Sequence, residues 1–280
     1  MEIRNVWASN LDAEMAEIRR VVEKYPYVAM DTEFPGVVAR PLGQFRSSTD
    51  YHYQTLRCNA DLLKVIQIGF CFTDGEGNAP PSGCGCWQFN LKFDRNADLY
   101  AQDSMQLLDE AGLEFDRHKR EGIDVEYFGE LLVTSGIVLN DEVRWLTFHS
   151  GYDFGYLLRV LHPLPMPTEE HEFFALLVQF FPCIYDIKYM IKCVESMPGS
   201  EKLKGGLNKI ADQLQVKRFG QMHQAGSDSV LTAATFFKVK TLFFDSPSLD
   251  KLQRGEDGLL RQCVGVLFGF SSATIAAEVH

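Results

Sequence analysis

The chain has 280 residues, of which 46% are hydrophobic, so it is long enough to form one large α/β domain with a sizeable core. Its formal net charge of -11 argues against a protein that binds nucleic acid through a broad basic surface. A nuclease remains compatible with that charge, because bound metal ions supply local positive charge. The isolated chain is expected to bind nucleic acid weakly.

Two kinds of segment are missing from the sequence. No run of about 18 apolar residues is present, so no spanning helix is expected. The N-terminus carries charged residues where a signal peptide would have an apolar segment. Both observations favour an intracellular protein, with the cytoplasm as the expected compartment and a nuclear pool allowed.

The seven cysteines are scattered along the chain. Cys84 and Cys86 form the only close pair, and their spacing is not that of a zinc site. We interpret the cysteines as reduced core residues.

Hydrophobic patterns in the first half predict two helices and three strands. The helices start at Ser9 or Asn10 and at about residue 50, and the buried strands cover 27–33, 65–72 and 86–91. A Gly- and Pro-rich stretch, 73–85, separates the last two strands. Because the connections are short, the three strands are expected to form an antiparallel meander.

The second half alternates strands and helices. Helical patterns dominate 102–135, and short strands are expected at 145–148 and 183–185. Further helices are predicted from Asp153, over 169–180 with Thr168 as its N-cap, and near 186–195, 206–215 and 227–244. The pattern predicts an α/β fold with a mixed five-stranded sheet flanked by helices, its first strand central. We expect one domain over 1–245 and a C-terminal extension of uncertain order over 246–280.

The first of these strands ends in two acids. Asp31 and Glu33 are two positions apart on a strand, so their side chains share one face. Two neighbouring carboxylates are costly to bury unless a divalent cation lies between them. The alternative is an edge-strand pair that faces solvent, but the apolar neighbours Met30 and Phe34 disfavour full exposure.

Three more candidates lie downstream, namely Asp153, His223 and Asp228. Phosphodiester hydrolysis is served by two hard cations on carboxylate ligands, and a histidine can accept the proton of the attacking water. Taken singly, each residue has a simpler interpretation, because aspartate is favoured at helix N-termini and a histidine before a helix is often a surface residue. Their order along the chain strengthens the set.

That order, D-x-E, then D after a strand, then H-x4-D at a helix start, resembles the DEDD exonucleases of the histidine subtype, which have a ribonuclease H-like fold. Six strings narrow the resemblance to the eukaryotic Caf/Pop poly(A) deadenylases. They are IRNVWASN at 3–10, MDTEFPG at 30–36, YHYQ at 51–54, TFHSGYDF at 147–154, LKGGL at 203–207 and HQAGSDS at 223–229. The resemblance covers roughly residues 3 to 240.

The resemblance implies a function and a site. It implies a metal-dependent 3′→5′ exoribonuclease that shortens poly(A) tails and releases 5′-AMP, with two divalent cations, Mg²⁺ or Mn²⁺. The implied metal ligands are Asp31, Glu33, Asp153 and Asp228, and the implied general base is His223. The implied partners are the scaffold subunit of the carbon catabolite repressor–NOT complex and a deadenylase with leucine-rich repeats. The stretch 195–201 looks like an expanded loop relative to animal members, and the tail beyond about 245 matches nothing useful.

Poly(A) is single-stranded, so stacking and backbone contacts should dominate its binding. Phe34 and Phe148 are candidates to frame the terminal nucleotide, although core packing is the alternative. Lys204 and Gly205 are candidates to contact a phosphate or base, and a simple turn before the next helix is the alternative. Arg40 and Arg46 are as readily surface residues as phosphate contacts.

Two other functions share this sequence evidence. The chain could be mainly an adaptor that bridges the scaffold to another deadenylase, or a DNA proofreading-type exonuclease with the same chemistry. The complete five-residue set disfavours the adaptor, and the six strings disfavour the DNA enzyme.

Overall fold

A computed structural model describes residues 2–81, 83–195, 203–245 and 258–270 of the chain. Its centre is a six-stranded sheet in the order β1-β4-β3-β2-β5-β6. The strands are β1 (Glu2–Val6), β2 (Tyr27–Glu33), β3 (Gln67–Thr73), β4 (Cys84–Asn90), β5 (Arg144–Thr147) and β6 (Ile184–Asp186). Strands β2, β3 and β4 form the expected antiparallel meander, while β5 and β6 run parallel to β2.

The expectation of five strands was wrong by one strand. The additional strand is β1, which pairs parallel to β4 at the edge of the sheet. Its sequence, EIRNV, is mostly polar and only Val6 is fully buried, so it has no apolar run by which a strand is recognised. Its pairing depends on β4, which the chain reaches about 80 residues later, at Cys84.

Ten α-helices lie within the described ranges and flank the sheet. They are α1 (Leu11–Val22), α2 (Ser48–Leu62), α3 (Gln102–Glu110), α4 (Phe115–Glu121), α5 (Val125–Val133), α6 (Gly151–Leu161), α7 (Glu170–Phe180), α8 (Ile187–Val194), α9 (Leu207–Gln213) and α10 (Ala225–Val239). The helical pattern over 102–135 therefore corresponds to three short helices. A π-helical turn, Lys240–Phe244, continues α10.

Several helix starts differ from the predicted ones. Asp153 and Asp228 lie inside the first turns of α6 and α10 rather than at their N-caps. The N-cap of α7 is Glu169, not Thr168, and no side chain caps that helix. Asn10 is the N-cap residue of α1, but its side-chain oxygen accepts from the Trp7 N–H instead of from the helix.

The sheet separates two apolar clusters, and β2 contributes to both by alternation. Val28 and Met30 belong to the cluster that contains residues of α1, α2, α5, α6 and α7. Tyr27 and Ala29 belong to the cluster that contains residues of α8, α9 and α10. Asp31 and Glu33 continue the alternation of Tyr27 and Ala29, so their side chains point to the side of the sheet on which α10 lies.

The segment 258–270 packs back onto the sheet beside β6. Leu260 and Cys263 are buried in the second cluster, and Val264 forms a β-bridge to Tyr185. The proposed boundary at 245 and the order of the whole extension stay predictions, because 246–257 and 271–280 lie outside the described residues. The expanded loop predicted at 195–201 lies almost wholly outside them too.

All seven cysteines lie within the described ranges and none forms a disulfide, as expected. Four of them, Cys71, Cys84, Cys86 and Cys263, are buried. Among the helices of the described segments, none is long and apolar enough to cross a membrane.

A glycine sets how closely α10 approaches the sheet. Gly69 on β3 pairs with Asp31, and a Cβ built on it would lie 2.1 Å from the backbone oxygen of Ala225. That distance is far below van der Waals contact, and the atom it meets is helix backbone rather than a flexible side chain. The first turn of α10, which carries Asp228, therefore rests directly on the strand beside Asp31.

Replacing Gly69 by Ala should push α10 away from the sheet. We expect a loss of about 1–3 kcal/mol in the free energy of unfolding, together with reduced activity, because Asp228 moves with the helix. Chemical denaturation and the deadenylation assay described below measure the two effects. Gly206→Ala is the stability control, since nothing lies within 4 Å of its Cβ position. Equal stability of wild type and G69A would contradict the close packing.

Candidate active site

The five predicted catalytic residues converge at the end of β2. Glu33, His223 and Asp228 each offer one ligand atom, and these atoms lie within 4.8 Å of one another. Asp31 lies on the same face of β2 as Glu33, and Asp153 reaches the strand from α6. Residues that are up to 197 positions apart in the sequence thus share one small volume.

Asp153 is held in place by the strand itself. Its Oδ1 accepts the backbone N–H of Thr32 at 3.0 Å and the Thr32 hydroxyl at 2.6 Å. Both residues are buried. Because the central residue of the D-x-E string points away from Asp31 and Glu33, it can reach the helix on the opposite face.

Asp228 links α10 to the segment that precedes it. Its Oδ2 accepts the backbone N–H of His223 at 3.1 Å, and its Oδ1 lies 2.5 Å from Nη2 of Arg218. His223 has a left-handed backbone with φ +59°, which is uncommon for a residue other than glycine. The Asp228 carboxylate therefore fixes the turn that presents the histidine.

The acids repel one another at short range. Burial raises the pKa of Asp31 well above its ordinary value, and the charges of Asp153, Asp228 and Glu33 raise it further. Burial and the charges of Asp228 and Asp153 do the same for the pKa of Glu33. Burial also raises the pKa of Asp153 to about 6, against the hydrogen bonds from Thr32.

Such a group of buried acids is suited to hard divalent cations. Carboxylate oxygens are the ligands that Mg²⁺ and Mn²⁺ prefer, and a bound cation removes the repulsion that raises the pKa values. Oδ1 of Asp228 is also buried without a hydrogen bond of good geometry. The donor set therefore fits the cations implied by the sequence.

The candidate substrate-binding residues have different surroundings. Phe34 stacks on Tyr152, with ring centroids 5.4 Å apart and planes 13° apart. Phe148 is partly buried and packs against the second apolar cluster. Lys204 is exposed, and Gly205 has a φ of +124°, which favours glycine.

The two arginines considered as phosphate contacts are both exposed at the surface. Arg46 pairs with Asp50 and Glu169 at the surface. Arg40 has no ion pair of this kind among the described residues. The ion pairs of Arg46 favour its interpretation as a surface residue.

Sequence reasoning missed three residues that shape the site. Thr32 was overlooked although it lies inside the D-x-E string, and the alternation of a strand places it on the face opposite the two acids. Asp186 is buried at the end of β6 and accepts the backbone N–H of His149 at 2.9 Å. Arg218 was overlooked because one basic residue in a connecting segment carries no pattern; only its position five residues before His223 could have drawn attention to it.

A network of side-chain amides also holds the start of α10. Oε1 of Gln224 accepts from Nε2 of Gln88 at 2.9 Å, and its own Nε2 donates to the Ala111 carbonyl at 2.7 Å. Oε1 of Gln88 accepts the backbone N–H of Gly226 at 2.9 Å. These bonds therefore fix the position of the residues around Gln224 relative to the sheet.

The sequence matches the description "CAF1 family ribonuclease" over residues 6–130 and 133–236. The chain belongs to this family. It is 53% identical over 243 residues to a protein of Schizosaccharomyces pombe named poly(A) ribonuclease pop2, covering 87% of this chain and 70% of that protein. It is 50% identical over 244 residues to the Caenorhabditis elegans protein named CCR4-NOT transcription complex subunit 7, covering 87% and 78%.

Two solved structures of family members superpose closely on this chain. The S. pombe Pop2p structure, described as its Mg²⁺- and Mn²⁺-bound form, gives a TM-score of 0.87 at 48% identity and covers 96% of this chain and all of that one. Yeast CAF1, crystallised with the MIF4G domain of NOT1, gives 0.78 at 32% identity and covers 95% and 96%. The expected ribonuclease H-like α/β fold is confirmed, with six strands instead of five.

Replacing Asp31 by Asn removes one of the repelling charges. In metal-free protein at about pH 8 we expect D31N to raise the melting temperature, because an acid whose folded pKa is raised destabilises the fold when it is ionised. That penalty grows as the pH rises above the unfolded value near 3.9 and levels off once the pH passes the folded pKa. It disappears as the pH falls toward the unfolded value near 3.9, so the gain should shrink by about pH 5.

Calorimetry with a chelator at both pH values measures this difference. Asp116→Asn is the control, because Asp116 is exposed on α4. A D31N protein that is less stable than wild type at the higher pH, or equally stabilised at both, would show that Asp31 is not repelled by its neighbours.

Proposed function

We propose that this chain is a metal-dependent 3′→5′ exoribonuclease that shortens the poly(A) tails of messenger RNA and releases 5′-AMP. The observation that carries the proposal is the group of four acids and one histidine at the end of β2, in which Asp153 and Asp228 are buried and the other three residues are half-buried. Membership of the CAF1 ribonuclease family and the identity to a named poly(A) ribonuclease support the substrate class.

The proposed ligands of two divalent cations, Mg²⁺ or Mn²⁺, are Asp31, Glu33, Asp153 and Asp228. When bound, the cations would supply positive charge at the scissile phosphate and favour ionisation of the attacking water. The Mg²⁺- and Mn²⁺-bound form of S. pombe Pop2p supports this choice of ions. Thr32 would keep Asp153 oriented through its two hydrogen bonds.

His223 is the proposed general base. One of its ring nitrogens lies within 4.8 Å of carboxylate oxygens of Glu33 and Asp228, and a neutral imidazole nitrogen can accept the proton of the attacking water. Its backbone N–H is held by Asp228, so the carboxylate that binds a cation also sets where the base lies.

The proposed RNA path starts at Phe34 and Phe148, with Lys204 and Gly205 as further contacts. Beside Phe148, the ammonium of Lys188 lies 5.7 Å from its ring centroid and 5.1 Å from that of Phe268. Phe148 and Lys188 follow the parallel strands β5 and β6, whose carboxyl ends meet at one edge of the sheet. A cation close to two aromatic rings suits a single-stranded polyanion whose bases stack.

Lys188→Gln should weaken RNA binding while leaving the chemical step intact. We expect a higher KM for an oligo(A) substrate and little change in kcat. The slope of log binding constant against log salt concentration should become shallower by about the amount for one phosphate contact. Lys192→Gln is the matched control, because Lys192 is an exposed lysine on the same helix. Steady-state kinetics at several salt concentrations make the comparison, and equal effects of K188Q and K192Q would remove Lys188 from the RNA path.

The chain is expected to act as a subunit of an assembly. The structure of yeast CAF1 with the NOT1 MIF4G domain supports a scaffold partner of the CCR4-NOT type, and the C. elegans relative is named as a subunit of that complex. We extend the proposal to contact with a deadenylase that has leucine-rich repeats, and to a cytoplasmic site of action with a nuclear pool. Co-purification and fluorescence microscopy of the tagged chain test these two points.

The second candidate function is that of an adaptor, which the acidic surface of the chain favours slightly. Comparing tail shortening by the isolated chain and by the assembled complex discriminates between the two functions. If the isolated, folded chain is inactive and its Asp31→Ala variant leaves the complex fully active, the chain is an adaptor.

Asp31→Ala should abolish deadenylation with little loss of fold. The assay is a gel time course on a 5′-labelled RNA that ends in adenines, with Mg²⁺, with Mn²⁺ and with chelator. We expect wild type to shorten the RNA from its 3′ end until it reaches other bases, and activity to fall by at least about 1,000-fold in D31A or with chelator.

Asp116→Ala is the control for that assay and should retain wild-type activity. Substantial turnover by D31A would remove Asp31 from the site. A DNA enzyme would degrade an RNA whose 3′ end carries 2′-deoxyadenylates as fast as the all-ribose form.

A further inference from the structure

Arg218 is the cation in contact with the acid group, and the proposed function gives it no part. It lies in the connection between α9 and α10, and its side chain is only 18% exposed. A guanidinium that is so little exposed needs several acceptors to replace water.

The acceptors belong to both neighbouring helices and to the segment between them. Nε and Nη2 donate to Oδ1 of Asn208 on α9 at 2.8 and 2.6 Å. Nη1 donates to the Ser227 hydroxyl on α10 at 2.8 Å and lies 3.4 Å from the Gln221 carbonyl. Nη2 also faces Oδ1 of Asp228 at 2.5 Å.

The segment that Arg218 holds has an unusual backbone. Gln215, at its start, and His223, at its end, have φ values of +58° and +59°, in the left-handed region that disfavours side chains. Such conformations persist only where the surroundings hold them. The contacts of Arg218 and the bond from the Ser227 hydroxyl to the Phe219 carbonyl, at 2.8 Å, supply that restraint.

We propose that Arg218 is a positioning residue for deadenylation: it orients the Asp228 carboxylate and, through the segment 215–224, the ring of His223. The inference rests on the proposed function of the same site. Arg218 does not need to touch the RNA or the attacking water for this role. The planar guanidinium reaches four partners at once, which the single point charge of a lysine cannot do.

Three variants distinguish the role of the positive charge of Arg218 from the role of its hydrogen-bond geometry. Arg218→Lys keeps the charge and loses the geometry, whereas Arg218→Gln loses both. Asn208→Ala keeps the arginine and removes the acceptor for two of its N–H groups, without touching an acid. Arg20→Gln is the control, because Arg20 is exposed and pairs only with Glu17 in the described contacts.

For R218K and R218Q alike we expect kcat to fall about 10- to 100-fold at saturating Mn²⁺, with KM for oligo(A) within about threefold of wild type. N208A should show a smaller fall in kcat. The double variant N208A/R218Q should be no slower than R218Q alone, because Asn208 acts only through Arg218. Melting temperatures establish that every variant is folded at the assay temperature.

A second readout does not use activity. Calorimetric titration of Mn²⁺ into each RNA-free protein should show about tenfold weaker binding in R218K and R218Q, because a misplaced Asp228 is a poorer ligand. If Arg218 were only a counter-charge, R218Q would instead bind Mn²⁺ more tightly and R218K would behave as wild type.

Four results would overturn the proposal. They are full rescue by R218K, tighter Mn²⁺ binding by R218Q, additive effects of N208A and R218Q, or kcat within twofold of wild type in a folded R218Q. Inactivity of the wild-type chain would instead count against the proposed function, and the Mn²⁺ titration would still decide the role of Arg218.

Discussion

The repulsion among buried carboxylates at the end of β2 is the constraint on which the rest of the structure depends. Burial and like charges raise the pKa of Asp31 and Glu33, so ionisation of these carboxyl groups is unfavourable in the folded chain. The fold offsets this cost with neutral packing: two apolar clusters on either side of the sheet, and a helix that lies directly on Gly69. The same repulsion that lowers the stability of the metal-free fold favours the binding of divalent cations, which remove it.

Two of the four acids, Asp153 and Asp228, contact a partner from another part of the chain. Thr32 holds Asp153, Arg218 faces Asp228, and Asp228 holds the backbone of His223. The strand provides rigidity for the first contact, whereas the last two depend on an irregular segment with left-handed residues. His223, the proposed base, is therefore placed by side-chain contacts rather than by regular structure, and substitutions there should change turnover more than fold.

The elements that sequence alone predicted are those with local patterns. The meander of β2, β3 and β4 is apolar and separated by turn residues, and the five catalytic candidates lie in strings with fixed spacing. Strand β1 was missed because its residues are polar and its partner is distant in sequence. Arg218, Asp186 and the amide network around Gln224 were missed for a related reason: their importance lies in contacts that exist only after folding. The predicted cap at Thr168 was wrong because the helix begins one residue later, after Glu169, whereas Asn10 is the N-cap residue of α1 although its side chain bonds to the Trp7 N–H instead of to the helix.

The four acids come from β2, α6 and α10, so the site joins the first and last thirds of the described chain. The cations that it is built to hold would bind the folded chain and not the unfolded one, and the free energy of unfolding would rise with the logarithm of their concentration. Metal supply would then govern more than turnover. A chain deprived of cations would open more often, expose its backbone to proteases and have a shorter lifetime in the cell. The abundance of this ribonuclease would thus follow the divalent-cation level through the same residues that we propose as its catalytic ligands.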